Sequence, residues 1–199
     1  MGLYSGIMDD IELIEGLKTK NNSAFAELVG SFQSKVYNTC FGFLQNQEDA
    51  RDVAQEVFIE VYCSINNFKS NSKLSTWIYR IAVNKSLDHI AMKKRKKRFS
   101  QAMVILGLAE SRNEENKITD FSNPHADLEK QERMMVLSKA IDQLPENQKT
   151  ALTLNKYESM SYEEIAEVMG ISFSAVQSLI HRSKKNLQKI LSNYFAEKE

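Results

Sequence analysis

The chain has 199 residues, and its 26 lysines and arginines balance 26 aspartates and glutamates. Because the net charge is zero, the overall charge gives no reason to expect a nucleic-acid partner. A cationic surface would require basic and acidic residues to lie in different parts of the chain. Two cysteines argue against a disulfide framework and favour a cytoplasmic protein. No apolar run approaches the roughly 20 residues of a membrane span, and the N-terminus lacks the pattern of a secretory signal.

Apolar residues recur at helical spacing through the first half of the chain, and nothing there resembles a strand. The spacing predicts helices near 9–20, 23–44, 47–65 and 74–97. We expect Asn22 or Ser23 to open the second helix and Asn46 to cap the third. A polar loop, 66–73, precedes the fourth helix. That helix ends in Met-Lys-Lys-Arg-Lys-Lys-Arg at 92–98, which we call the basic run.

The periodicity weakens over 98–127, which predicts a flexible linker. Residues 107–132 hold seven acidic and three basic side chains, a net charge of −4. Helices are predicted again near 128–143 and from Pro145, at a first helical position, to about Tyr157. We therefore predict an all-α protein of two small helical domains, 1–97 and 128–199, joined by linker 98–127. Such a tether would leave the outward surfaces of both domains exposed.

The segment from Ser161 to Lys189 has the pattern of a helix-turn-helix. Ser161 and Glu164 form a capping box, and Gly170 suits a left-handed turn between the helices. The second helix, near 173–194, carries four cations and no acid between 173 and 190. Its outward face holds side-chain types that contact base edges and phosphates, which we call the recognition face: Ser174, Gln177, Ser178, His181, Arg182 and Lys185. A helical hairpin that only packs, or that binds protein, is the alternative.

A second candidate surface lies on the fourth predicted helix and the loop before it. The helix combines aromatic, amide and cationic side chains with the basic run: Trp77, Tyr79, Arg80, Asn84 and Lys85. That mixture suits phosphate contact together with base stacking. Phe68 in the loop has two open interpretations. It either anchors the loop to the core or forms a wall for an unstacked base.

The third predicted helix carries acids beside its apolar stripe. With Phe58 expected to be exposed, this side could be a docking surface for a basic partner, although a solvated face is the ordinary interpretation. Catalysis finds little support, because the three histidines lack metal-ligand spacing and neither a glycine-rich phosphate loop nor a nucleophile elbow is present. We predict no catalytic residue, no metal or cofactor, and no enzyme activity.

Three segments, in order, resemble bacterial RNA polymerase sigma factors of the extracytoplasmic-function group. Residues 49–62 (DARDVAQEVFIEVY) resemble the core-binding segment, and 75–88 (STWIYRIAVNKSLD) resemble the helix that melts and reads the minus-10 element. Residues 144–148 (LPENQ) and the helix-turn-helix resemble the domain that reads the minus-35 element. The resemblance covers both predicted domains but does not constrain the linker.

The resemblance implies roles for residues at matching positions. One set of residues would dock on the clamp of the largest polymerase subunit, and we call this set the docking face. It consists of Asp49, Asp52, Gln55, Glu56 and Phe58. The loop that would capture a flipped non-template base is Phe68, Lys69, Ser70, Asn71, Ser72 and Lys73. The minus-10 surface would be Trp77, Arg80, Asn84 and Lys85, with Lys93, Lys94 and Arg95 of the basic run on the backbone. The recognition face would contact the minus-35 duplex, where Gln177 suits adenine better than guanine.

The implied partners are core RNA polymerase, promoter DNA as duplex and as unpaired non-template strand, and an anti-sigma protein. Two other functions stay open. A conventional helix-turn-helix regulator would bind duplex operators without polymerase. An interaction protein with basic patches would leave the order of the three segments unexplained.

Overall fold

A computed structural model describes residues 10–105 and 127–196, and every regular element in these ranges is helical. The N-terminal helices are α1 (Asp10–Lys18), α2 (Asn22–Leu44), α3 (Gln47–Ser64) and α4 (Leu74–Ile105), with a 3-10 turn at Ile65–Asn67. The C-terminal helices are α5 (Asp127–Asp142), α6 (Glu146–Tyr157), α7 (Tyr162–Met169) and α8 (Phe173–Ala196). The predicted all-α class with two helical domains is confirmed.

Capping side chains set the starts of several helices. Asn46 caps α3 by accepting the amide of Asp49, as predicted. Asn21, one residue before the predicted position, caps α2 by accepting the amides of Ser23 and Ala24. Pro145 is the cap residue of α6 and lies just before its first helical residue.

The predicted boundary at residue 97 falls inside a helix. Helix α4 continues through the basic run to Ile105, so the first eight residues of the predicted linker are helical. Residues 106–126 of the predicted linker lie outside the described residues, and Asp127, its last residue, begins α5. The extension contains Arg98, Gln101, Ala102 and Met103, which are good helix formers, and residues 91–101 are all exposed.

The N-terminal domain has a core built by α1 to α4. Fully buried Leu28, Val36, Val57 and Ile78 lie in one apolar cluster to which all four helices contribute. Burying such side chains stabilises each by about 1.5–3 kcal/mol relative to exposure. The cluster holds α3 against α2 and α4, and so fixes which side of α3 faces outward.

A second apolar cluster joins the two domains. Phe43 of α2 and Tyr79 and Val83 of α4 are buried together with Leu154 of α6 and Ile165 of α7. Helix α2 packs on α6, and α4 packs on α7. The two domains therefore pack on each other in this state of the chain, because apolar surface from each domain is buried against the other.

Candidate nucleic-acid interface

The helix-turn-helix geometry places the recognition face outward. The Ser161 side chain accepts the Glu164 amide while the Glu164 carboxylate accepts the Ser161 amide, so the predicted capping box is present. Gly170 ends α7 with φ 66°, the left-handed conformation that the turn requires. Val176 is fully buried, which turns the opposite side of α8 to solvent.

All six predicted residues of the recognition face are exposed on α8. They share one side of the helix, and that side has no acidic residue. Helix α8 is also fastened from behind, where Asn186 Nδ2 donates to Gln148 Oε1 at 2.9 Å. Sequence reasoning did not identify this contact, because a glutamine followed 38 residues later by an asparagine carries no pattern. The arrangement presents a rigid polar and cationic helix of the kind that enters a major groove.

Phe68 packs inward, as the anchoring interpretation expects. The side chain is 5% exposed, and its ring lies 5.2 Å from the Trp77 ring. Lys69, Ser70, Asn71 and Lys73 of the loop are exposed, and Ser72 is half-buried. The aromatic pair therefore supports a polar loop, and Phe68 does not line an open pocket in this state.

The basic run is exposed along its whole length, but some cations near it are paired with α3. Lys93 forms an ion pair with Asp49, and His89 Nε2 lies 3.4 Å from the other oxygen of the same carboxylate. Lys85 pairs with Glu60 at 3.3 Å. Lys94 and Arg95 are exposed and have no such partner on α3 among the ion pairs of the described residues. The pairs tie α4 to α3, so the two predicted surfaces are held as one unit.

The docking face differs from its prediction at Phe58. Asp52, Gln55 and Glu56 are exposed, but Phe58 is only 8% exposed and belongs to the N-terminal core. Its neighbour Ile59 is 62% exposed. The expectation of an exposed Phe58 is wrong because α3 packs on both α2 and α4, so its buried arc is wider than one stripe. Ile59 is the exposed apolar side chain beside the acids.

Arg80 points toward the C-terminal domain. Its Nη2 donates to the Glu167 carbonyl at 2.5 Å, and its Nε donates to the Val168 carbonyl at 3.2 Å. These carbonyls end α7, where backbone acceptors lack helical partners and the dipole is negative. Arg80 and Asn84 also line a cleft of about 370 Å³ between α4 and the α6–α7 side of the other domain.

Two ionisable groups with shifted pKa values meet between the domains. Burial raises the pKa of Glu158, and a hydrogen bond from Tyr79 partly opposes that shift. Burial and the nearby Glu158 carboxylate raise the pKa of Tyr79. Burial also raises the pKa of the Cys40 thiol to about 11, which keeps it neutral near pH 7.

Two absences apply to the described ranges, 10–105 and 127–196. No group of three or more histidine, cysteine, aspartate or glutamate side chains there is placed to hold a metal ion. No helix in those ranges combines the length and the apolar character needed to span a membrane.

Two sequence families match the chain. The family described as Sigma-70 region 2 matches residues 28–96, and the family described as Sigma-70, region 4 matches residues 134–187. The first match covers most of α2, α3 and the part of α4 that carries Arg80 and most of the basic run. The second covers α6, α7 and the recognition face. The α4 surface thus falls within the region 2 match, and the recognition face falls within the region 4 match. Both matches are to regions of Sigma-70.

Two curated relatives and one solved structure are similar over most of the chain. The RNA polymerase sigma-H factor of Pseudomonas aeruginosa is 34% identical over 94% of this chain and 96% of its own. The ECF RNA polymerase sigma factor SigW of Bacillus subtilis is 32% identical over 89% and 94%. The sigma factor RpoE of Bartonella quintana, solved with the anti-sigma factor NepR, superposes with a TM-score of 0.57. It is 18% identical over 84% of this chain and 96% of its own, and therefore shows a shared fold.

Proposed function

Because this chain belongs to the sigma-70 family, in its extracytoplasmic-function group, and is a sigma factor for promoter recognition, we propose how its surfaces divide that work. The docking face binds core RNA polymerase, the loop 68–73 with α4 opens and reads the minus-10 element, and the recognition face reads the minus-35 element. The observation that carries this assignment is the exposed, acid-free recognition face on a buried helical scaffold. A regulator acting without polymerase would not need the region 2 domain.

At the docking face, we assign direct contact to the exposed side chains. Asp52, Gln55 and Glu56 supply charge and hydrogen bonds to a basic partner, and Ile59 supplies the apolar contact. Phe58 holds the shape of α3 from inside the core. Asp49 acts through Lys93 and His89, and keeps α3 and α4 in register.

At the minus-10 surface, capture of an unpaired base offsets an unstacking cost of a few kcal/mol. Lys69, Asn71 and Lys73 provide exposed polar groups for a flipped base and its phosphate. Trp77, braced by Phe68, offers an aromatic edge, and Asn84 offers an amide. Lys94 and Arg95 bind the phosphate backbone, which adds affinity that falls with salt.

Regulation by an anti-sigma protein fits a chain with this fold, and the likeness to RpoE bound to NepR supports it. The chain is a binding and positioning subunit with no catalytic step of its own, and its partner polymerase places it in the cytoplasm. Core polymerase supplies the chemistry.

Reconstitution tests the proposal. Purified chain added to core polymerase should yield discrete run-off transcripts from fragmented genomic DNA, and core polymerase alone should not. A gel shift with and without core polymerase separates this function from that of a stand-alone regulator. Failure to bind core polymerase at all would contradict the assignment.

A further inference from the structure

We propose that Phe173, the first residue of α8, contacts the C5 methyl group of a thymine in the minus-35 duplex and so determines base preference there. The six residues of the recognition face are all polar, and Phe173 adds an apolar contact at the edge of that face. The inference rests on the function proposed above, because it requires α8 to enter the major groove of promoter DNA.

Phe173 is a large aromatic side chain that the packing of α8 leaves at the surface, with 42% of it exposed. Further along the same helix, Val176 is fully buried and Ile180 is 2% exposed, and both lie in one apolar cluster with Ile165 of α7. These residues form the contact between the two helices of the helix-turn-helix. Part of the Phe173 ring therefore remains available to another molecule.

The Phe173 ring is held in position by neighbouring residues of the same domain. Its centroid lies 6.1 Å from the centroid of the Tyr162 ring at the start of α7, a distance typical of aromatic pairs. Ser172, just before α8, accepts the Ala175 amide through its side chain at 3.2 Å and stabilises the first turn. Because a side chain that is already held loses little rotamer freedom on binding, the ring contributes to affinity at a small entropic cost.

Phe173 lies at the end of the recognition helix that contacts bases. In helix-turn-helix proteins the N-terminal residues of the second helix contact base edges in the major groove. Phe173 precedes Gln177 by four residues, so the two side chains are neighbours on the surface of α8. The segment from 173 to 190 contains no acidic residue that would repel the phosphates. Phe173 and the recognition face therefore form one continuous surface.

The chemistry of phenylalanine limits the base that it can recognise. Its ring offers no hydrogen bond to the polar groups on the edges of guanine, cytosine and adenine. Thymine adds an apolar C5 methyl group in the major groove, and phenylalanine is one of the side chains that contact it. Burial of a methyl-sized group is worth about 0.8 kcal/mol, which is roughly fourfold in affinity. Phe173 therefore favours thymine at or beside the base pair that Gln177 contacts.

Replacement of thymine by deoxyuridine tests this contact, because it removes the methyl group and keeps the hydrogen bonds of the base pair. The full chain bound to core polymerase is titrated with a promoter selected from a library randomised over the minus-35 element. Each minus-35 thymine, on either strand, is replaced singly. The wild-type complex should lose roughly fourfold in affinity at one position. Phe173→Ala should bind the thymine promoter more weakly and should not distinguish thymine from deoxyuridine at that position.

Two further variants separate the methyl contact from folding and from general loss of apolar surface. Phe173→Leu keeps an apolar side chain and should retain part of the preference for thymine, so it carries the test if circular dichroism shows that Phe173→Ala is unfolded. Leu137→Ala removes an exposed apolar side chain from α5 of the same domain and should retain the whole preference. Affinity for core polymerase alone should be the same for Phe173→Ala and wild type.

Three results would overturn the role of Phe173. The wild-type complex might bind every deoxyuridine promoter as tightly as the thymine promoter, or Phe173→Ala might keep the full wild-type preference for thymine. Weaker binding of Phe173→Ala to core polymerase, with the thymine preference intact, would instead make Phe173 a protein contact. In all three results, promoter binding by the wild-type complex leaves the proposed function intact. A wild-type complex that binds no promoter would overturn the proposed function itself.

Discussion

The Tyr79 hydroxyl donates a hydrogen bond to the Glu158 carboxylate, 3.0 Å away, across the boundary between the two domains. Tyr79 lies on α4, in the helix that carries the minus-10 surface, and Glu158 follows α6 in the minus-35 domain. Lys35, Thr39 and Cys40 of α2 also face this carboxylate, and Glu164 of α7 lies near the tyrosine. The packing of the two domains on each other therefore includes a contact that depends on whether the Glu158 carboxyl carries a proton.

We predict that the packing of the two domains on each other strengthens as pH falls. Burial raises the pKa of Glu158 while the domains are packed together. Separation of the domains would expose the carboxyl and return its pKa to the ordinary 4.5. The packed arrangement therefore holds the Glu158 proton more tightly than separated domains would. The stabilisation that this proton gives to the packing is complete below the ordinary pKa and is lost as pH rises through the raised pKa. The radius of gyration measured against pH should show a transition in that window.

Glu158→Gln removes the charge and keeps an oxygen that can accept from Tyr79. The variant should keep the two domains packed together across the same pH window, so its radius of gyration should not follow the wild-type transition. Glu15→Gln, on exposed α1, is the control and should behave as wild type. A transition of the same size in Glu158→Gln would assign the pH response to other groups.

Adjacent residues of α3 should separate stability from docking. Phe58→Ala removes a buried ring and should lower the free energy of unfolding by about 3–5 kcal/mol. Ile59→Ala removes an exposed side chain and should leave that free energy within about 0.5 kcal/mol of wild type, while weakening core-polymerase binding. Denaturant unfolding and a binding titration measure the two effects. Equal core affinity for wild type and Ile59→Ala would remove Ile59 from the docking face.

Gln177 should determine base preference at one minus-35 position. Gln177 is exposed on the recognition face, and a glutamine amide pairs with adenine by two hydrogen bonds. Gln177→Ala should lower discrimination at that position by about 1–3 kcal/mol, and Gln177→Arg should shift the preference toward guanine. Selection of promoters from a library randomised over the minus-35 element measures both, with Gln188→Ala, exposed later on α8, as the control.

Neighbouring lysines of the basic run should differ in their phosphate contact. Lys94 is exposed, whereas Lys93 is paired with Asp49 within the domain. Lys94→Ala should reduce the slope of log binding constant against log salt by about 0.7–0.9, one phosphate contact, without changing sequence preference. Lys93→Ala should change the slope less. Promoter binding by the polymerase complex at several salt concentrations measures the difference, and equal slopes for both variants would contradict it.

The helices were predictable because they repeat apolar residues at a helical period and begin with capping residues. Asn46 and the box of Ser161 and Glu164 mark their helix starts as expected. The end of α4 was not predictable from periodicity, since residues 91–101 are exposed and their helical structure depends on helix propensity.

The recognition face was predictable for the same reason as the helices. A buried Val176 fixes the opposite side of α8, and all six expected residues are exposed. Phe58 was not, because its burial depends on α3 having two packing neighbours instead of one. The domain contact was also out of reach. The fit of Gly42 against Thr153 exists only in three dimensions, and neither residue forms part of a sequence motif.

Promoter melting tests the central claim most directly. Permanganate reactivity of thymines around the minus-10 element should appear only when the chain and core polymerase are both present on promoter DNA. Substituting the loop cations, in Lys69→Ala with Lys73→Ala, should reduce that reactivity while leaving minus-35 protection intact. Protection of the duplex by the chain alone, with no reactive thymines when core polymerase is added, would contradict the account.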